Sequence, residues 1–469
     1  MNKIFNLTFL LCIALFLFSC STNNTHKDAN QDTQNKEVVN KTYEYHLENG
    51  LTLLVTPDHR APVVISQVWY KIGSIYEPKG LTGISHMLEH MMFKGTTKFK
   101  PGEIEEIVLN NGGQQNAFTS HDYTAYYQYW GADKLEESFN IESSRMSDLT
   151  LNENLFIKEK EVVKEERRMR IEDNPQGYAY ETLIDLAYNP NPMHHPVIGW
   201  MNDIEDYKLA DLDQWYTSYY APNNATIIVV GDVNPEKVYK LVNNYFSHIP
   251  PSNKIPTKPK QVDLINSGYK NKKIERPNVQ VPTLLMAYTT PSLNTAKNSW
   301  EPYALAVLDT IIADTNSSRL RKELIRKDEL AISISSNYDP FSISQSLLTI
   351  TALPNNGVKL SELQEKIVNQ LNDIKKTGIT QKELTRIKNN IIADKVYALD
   401  SIPTQANMLG SVVSIGLPKN TIEEYLSALT KVTASQVKEV ANKYLNNDNL
   451  TVVELYQETP AKQQTEGEI

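Results

Sequence analysis

The sequence predicts an α+β protein built from two related halves, and three observations predict it. β-rich runs alternate with helical stretches in the first half, a Pro- and Lys-rich break falls near the middle, and the same order of elements returns beyond the break. A length of 469 residues is too great for one ordinary core, and 40% hydrophobic with 22% charged residues is the balance of a water-soluble body.

Taken in order, Thr42 to Leu47 reads as a strand that meets an Asn49-Gly50 turn signal and continues into Leu51 to Val55, which is a hairpin. Val63 to Tyr70 is a second β-rich run, and helices separate it from the alternating stretch Tyr123 to Trp130. Ala225 to Val230 is another strand and closes on Gly231-Asp232. Residues 251–277 carry Pro251, Pro256 and Pro259 with many lysines and little apolar periodicity, the chemistry of a linker. Beyond it, Pro282 to Tyr288 matches the run after Pro62, a long helical stretch follows, and Ala331 to Ser335 and Leu347 to Leu353 read as strands. The halves are therefore expected to be residues 41–250 and 278–458, with a polar tail at 459–469.

The N-terminus has a different character. Lys3 precedes an apolar run from Phe9 to Phe18 that is short for a membrane span, and Leu17-Phe18-Ser19-Cys20 resembles a bacterial lipoprotein signal, with 1–19 removed and Cys20 acylated. Residues 20–40 are rich in Asn, Thr, Gln, Asp and Lys and read as a flexible tether. The expected location is the bacterial cell envelope, lipid-anchored at the outer membrane and facing either the periplasm or the cell surface. A formal charge of −9 argues against nucleic acid as a partner.

Both cysteines, Cys12 and Cys20, lie in this leader region, so the body has no disulfide and no thiolate ligand. A metal site there must come from carboxylates and the nine histidines. His86-Met87-Leu88-Glu89-His90 places two imidazoles one helical turn apart with a carboxylate beside them, while Ile84, Leu88 and Met91 fall on the opposite side. In a later helix Leu155, Glu159, Val162, Glu166 and Met169 recur at helical spacing, which puts two carboxylates on an apolar stripe. Buried carboxylates need compensation, and a metal ion or a metal-bound imidazole provides it. His86, His90 and one of these glutamates suit a catalytic Zn²⁺ with one open position, and Glu89 is left as general base for a zinc-activated water. A solvated charged face on the second helix is the plainer alternative, and His121, His194 and His195 are assigned no ligand role.

Three groups of segments carry a resemblance. The first is Gly83 to Thr96; the second is Asn116-Ala117-Phe118-Thr119-Ser120; the third is Glu159 to Glu166, followed by Pro196 to Gly199, Tyr219 to Ala225 and Val230 to Asp232. Together they resemble the pitrilysin/insulinase family of inverted-zincin metallopeptidases, in the class of subunits of about this length that includes bacterial and mitochondrial processing peptidases. The resemblance implies two homologous α/β-sandwich domains forming half of a clamshell chamber, the first binding one zinc ion and the second inactive. It implies Glu166 as third ligand, Glu159 as a supporting carboxylate, and Asn116, Ala117 and Phe118 on an edge strand where an extended peptide or unfolded polypeptide adds as a further strand. Phe93 is implied to shape an apolar side-chain pocket, although core packing explains that residue equally well.

One departure stands out. After Ser317-Ser318-Arg319-Leu320 the family pattern leads to an Arg and a Tyr seven residues apart, and the ungapped positions here are Ile325 and Ile332; Arg326 lies one residue off, with no Tyr at the matching distance. Neither isoleucine can stabilise an oxyanion, so a related subunit is expected to supply the pair in a heterodimer, with a homodimer as the alternative. The competing functional readings are a non-catalytic scaffold and a peptide-binding lipoprotein, which zinc content and turnover of an unstructured peptide separate. For the anchor, Cys20→Ala protein is expected to leave the membrane fraction on cell fractionation; partition equal to the parent's would contradict acylation.

Overall fold

The computed structural model describes residues 41–458 apart from 256, 260 and 261. The leader, the tether and the polar tail expected from sequence lie outside the described residues. Two mixed sheets organise the body. The first runs in the order β1-β2-β6-β3-β5-β4 and the second in the order β7-β11-β8-β10-β9. The strands are β1 (Tyr43–His46), β2 (Thr52–Pro57), β3 (Val63–Tyr70), β4 (Gln114–Thr119), β5 (Thr124–Gly131), β6 (Ala225–Gly231), β7 (Lys270–Arg276), β8 (Thr283–Thr290), β9 (Ala331–Tyr338), β10 (Ser346–Pro354) and β11 (Leu450–Gln457).

Leaving aside β1, the second sheet repeats the first. In each, the leading strand pairs in parallel with the last one, β2 with β6 and β7 with β11, and the remaining pairings are antiparallel. The Asn49-Gly50 hairpin forms, with Glu44 opposite Leu54. The sequence-expected linker 251–277 ends in a strand that its composition conceals. β7 is an edge strand, Lys-Asn-Lys-Lys-Ile-Glu-Arg, that buries only Ile274 and pairs on one side alone, so it carries the charges of a solvated edge.

The central strands β6 and β8 are buried along their whole length, which explains the apolar runs Ile227 to Val230 and Leu284 to Tyr288 within them. One face of the first sheet packs on helices of its own half, through Val64, Val68, Tyr70 and Tyr126 against Met87, Leu88 and Phe139. The opposite face is covered by a helix from the second half, Ile402–Ser414, whose Ile402, Ala406 and Leu409 meet Leu54, Ile65, Trp69, Ile228 and Val230. The second sheet is covered reciprocally. A first-half helix, Pro175–Tyr188, lays Ala179, Leu183 and Ala187 on Ile274, Leu285, Ala287, Val453 and Leu455.

Polar ties guard both exchanges. Asn174 caps the Pro175–Tyr188 helix by accepting from the amides of Gln176 and Gly177. Beside the Ile402–Ser414 helix, Arg60 donates to Asp58 and to Asp400, and Gln405 donates to the same Asp58 carboxylate at 3.0 Å. Among the described residues no helix is long and apolar enough to cross a membrane.

Because Leu183 is almost fully buried in the seam between a first-half helix and the second sheet, Leu183→Ala is expected to lower the unfolding free energy by about 2–5 kcal/mol. Urea denaturation followed by circular dichroism measures it, and a loss below about 1 kcal/mol would mean that the seam collapses around the missing side chain.

Candidate metal and peptide site

The helix Ile84–Met91 carries the histidine pair, and its N-terminus is held from outside. Gly83, its N-cap, offers no side chain, so the carboxylate of Glu77 accepts instead from the amides of Gly83 at 2.7 Å and Ser85 at 2.9 Å. Gly83 and Gly199 lie back to back with φ of 88° and 87°. A Cβ on Gly83 would fall 2.3 Å from the Ile198 carbonyl oxygen, and one on Gly199 would fall 2.1 Å from that of Thr82. Thr82 completes the clamp: its hydroxyl donates to Asp203 at 2.6 Å and accepts from the amide of Trp200 at 2.9 Å.

The second helix, Glu153–Arg167, is capped by Asn152 and buries Phe156, Glu159, Val163 and Arg167. The apolar stripe expected from sequence is therefore corrected. Val162 and Met169 are 49% and 67% exposed, and the buried line runs one residue further round the helix, through Phe156 and Val163. Glu159 stays on the buried line and Glu166 sits at its margin. Arg167 ties this helix to the first. Its guanidinium donates to both oxygens of Glu181, at 2.9 and 3.0 Å, and to the Gly199 carbonyl at 2.7 Å.

Between the helices, Oε2 of Glu166 lies 3.3 Å from His90 Nε2 and 3.7 Å from His86 Nε2. One ligand atom from each of the three residues lies within 4.8 Å of the others, and this is the sole such group of three among the described residues. His90 Nδ1 is bonded to Glu159 Oε1 at 2.9 Å, and the other oxygen of Glu159 takes the ammonium of Lys94 at 2.6 Å. That partnership turns His90 so that Nε2 faces Glu166. His86 has no counterpart; its Nδ1 is buried without a hydrogen-bond partner. Two imidazole nitrogens and one carboxylate oxygen, converging with their free atoms inward, fit Zn²⁺ in chemistry and number.

The protonation pattern follows from burial and neighbours. Burial pushes His86 down to about 4, with the charge of His90 adding to the effect. Burial alone would lower His90 too, but the carboxylates of Glu159 and Glu166 outweigh it and raise the group to about 9. Glu166 is lowered chiefly by its hydrogen bond from His90, and Arg170 also favours its charged form. Glu89 is buried, which raises its carboxyl, while Thr119 opposes by donating its hydroxyl to Oε2 at 2.5 Å.

Asn116, Ala117 and Phe118 lie on β4, the outer strand of the first sheet, paired only with β5. They do not share a face. Ala117 packs toward the main core, whereas the Phe118 ring turns to the opposite face and stands 5.3 Å from Trp69, so that side chain belongs to the packing under the exchanged helix. The Ala117 amide is bonded to the Asn116 side chain at 2.9 Å. Phe93 is half-buried beneath the Arg145 guanidinium and lines a cavity of about 490 Å³ with Ile104, Val108, Leu109 and Gln115. His121 is occupied with Ser74 at 2.7 Å, and His194 with Asp185 at 2.9 Å.

Sequence reasoning assigned no role to Thr119, Lys94, Glu77 or Arg167. Two of these had a readable signal: Lys94 follows His90 by one helical turn, and Thr119 lies two residues beyond Ala117 on the same strand face. In the second half, Ile325 is half-buried in the core and Ile332 is 57% exposed on β9. Arg319 is engaged with Glu383 at 2.7 Å.

A duplicated α+β half-clamshell bearing an inverted His-x-x-Glu-His motif is the class that fold and site define. The chain belongs to the insulinase family, peptidase family M16: the family described as "Insulinase (Peptidase family M16)" matches residues 53–199, and "Peptidase M16 inactive domain" matches residues 206–391. It is 33% identical over 413 residues to the zinc protease PqqE of Helicobacter pylori, covering 87% of this chain and 91% of that one. It is 28% identical to the uncharacterized zinc protease YmxG of Bacillus subtilis, over 86% of this chain and 96% of the relative. The crystal structure of a protease from Helicobacter pylori superposes with a TM-score of 0.84 at 32% identity, covering 89% of this chain and 99% of that one. The periplasmic protease PqqL of Escherichia coli shares the fold at 18% identity and a TM-score of 0.74, and the match spans 90% of this chain but 49% of PqqL.

Zinc added to the purified chain at pH 7 is expected to release about one proton, since His90 carries one that the ion must displace, and the apparent affinity should climb with pH up to about 9. Calorimetry in two buffers of different ionisation enthalpy reads the proton. Glu159→Gln should weaken zinc roughly 10–100-fold in chelator competition; unchanged affinity would remove Glu159 from the site.

Proposed function

We propose that this chain is the zinc-bearing subunit of an endopeptidase that hydrolyses peptides or unfolded polypeptides, with His86, His90 and Glu166 as the ligands and Glu89 as general base. The observation that carries this reading is the convergence of the Glu166 carboxylate on both Nε2 atoms, with Glu89 on the same helix held against β4 by Thr119. Zinc in this donor set would supply Lewis acidity toward a peptide carbonyl and acidify a water molecule.

The chain's own groups account for the rest. Thr119 engages Oε2 of Glu89, which leaves the other oxygen to take a proton from the attacking water and return it to the leaving amine. Burial raises the Glu89 carboxyl, as a base that must also act as an acid requires. The open edge of β4 offers backbone donors and acceptors to an extended peptide, beginning with the Ala117 amide once Asn116 releases it. The Phe93 cavity beside that edge suits one substrate side chain. Backbone pairing of this kind favours unfolded substrates over a particular sequence.

The isoleucines at 325 and 332 support a partner that brings an Arg and a Tyr, and the match to half of PqqL supports the same two-part arrangement. Leu17 to Cys20 supports a lipid-anchored location in the bacterial envelope. The test compares Glu89→Gln with the parent on an unstructured peptide, each alone and with a related subunit. Zinc content should persist while turnover falls at least about 100-fold. Retained turnover would remove Glu89 from the chemistry, and full activity of the parent alone would remove the need for a partner.

A further inference from the structure

The two oxygens of Glu166 have different neighbours. Oε2 faces the imidazole pair, and Oε1 accepts from Arg170 Nη2 at 2.8 Å. Arg170 lies one helical turn further on, in the π-helical turn Arg168–Glu172 that ends the glutamate helix. Its guanidinium is 68% exposed, yet the backbone beneath it is fixed. The neighbouring helix approaches so closely that a Cβ on Gly177 would fall 2.1 Å from the Arg170 carbonyl oxygen. Arg167, just before the turn, is held by Glu172 at 2.9 Å and by Glu181. π-Helical turns are uncommon and concentrate at functional sites.

Resting on the zinc reading above, we propose that Arg170 is a positioning residue: by occupying Oε1 it holds Glu166 to one-oxygen ligation and so preserves an open coordination position. A carboxylate on a metal binds through one oxygen or two, and no geometric preference of Zn²⁺ itself decides between them. If both oxygens bound, the two histidines and Glu166 would supply four donor atoms, and the water would make the site five-coordinate instead of four-coordinate, with no position left for a substrate carbonyl. A charged hydrogen bond to one oxygen settles the choice in favour of one-oxygen binding. An exposed ion pair one turn apart is ordinarily worth little to stability. Ligand control therefore makes a different expectation from a surface tie, because the fold should not notice the loss of Arg170 while the metal should.

Cobalt(II) in place of zinc reads coordination number directly, since its visible absorption is strong when four-coordinate and weak when five- or six-coordinate. The parent loaded with cobalt should show the strong spectrum. Arg170→Ala should lose that intensity severalfold with an unchanged melting temperature, and Arg170→Lys, which keeps a cationic donor, should retain most of it. Superimposable spectra of parent and Arg170→Ala would overturn the proposal, as would a weak parent spectrum. Failure of the parent to bind zinc or cobalt at all would instead refute the metal reading on which it rests.

Discussion

One buried guanidinium ties together the two helices that carry His86, His90, Glu159 and Glu166. Arg167 ends the helix that carries Glu159 and Glu166, and it donates to the carbonyl of Gly199, whose backbone lies against Gly83 at the start of the histidine helix. The same group grips Glu181 on the helix that covers the second sheet. Ligand geometry and inter-half packing therefore share a single charged centre. A planar fork with several fixed donors does this where a lysine, with one point of charge, would not. The desolvation of that charge is offset by the paired carboxylate of Glu181 and by the Gly199 carbonyl.

Around this centre the site concentrates charge. Glu89, Glu159 and Glu166 face His86 and His90 in a space where burial penalises every ion. Without a metal, the cluster divides its protons unevenly: His90 holds one between two carboxylates and His86 stays neutral. A divalent cation would relieve this arrangement, because it would compensate the carboxylates without asking two adjacent imidazoles to carry charge together. The unpartnered Nδ1 of His86 sharpens the contrast, since that ring depends on Nε2, which faces Glu166, for a polar contact while His90 is oriented from both sides.

Much of this was legible in the amino-acid order. β3 and β6 announce themselves as apolar runs because both their faces are covered, and the His-x-x-Glu-His spacing is itself a statement about one helical face. β7 was hidden because an edge strand solvates most of its residues and reads as linker. The stripe of the glutamate helix was misjudged by one position, since Val162 and Met169 are apolar yet exposed and Arg167 is charged yet buried. Phe118 shows the limit of strand reasoning: alternation separates its face from that of Ala117, but cannot say that a helix from the other half lies beneath it. Periodicity reports that a surface is covered and leaves open by what.

The crossed helices give the second half a structural duty. Each sheet has a face covered by the other half's chain, with Trp69, Ile228 and Val230 on one side of the exchange and Leu285, Ala287 and Val453 on the other. A gene trimmed to the first half would encode a protein with an open oily surface and a stray amphipathic helix, a recipe for self-association.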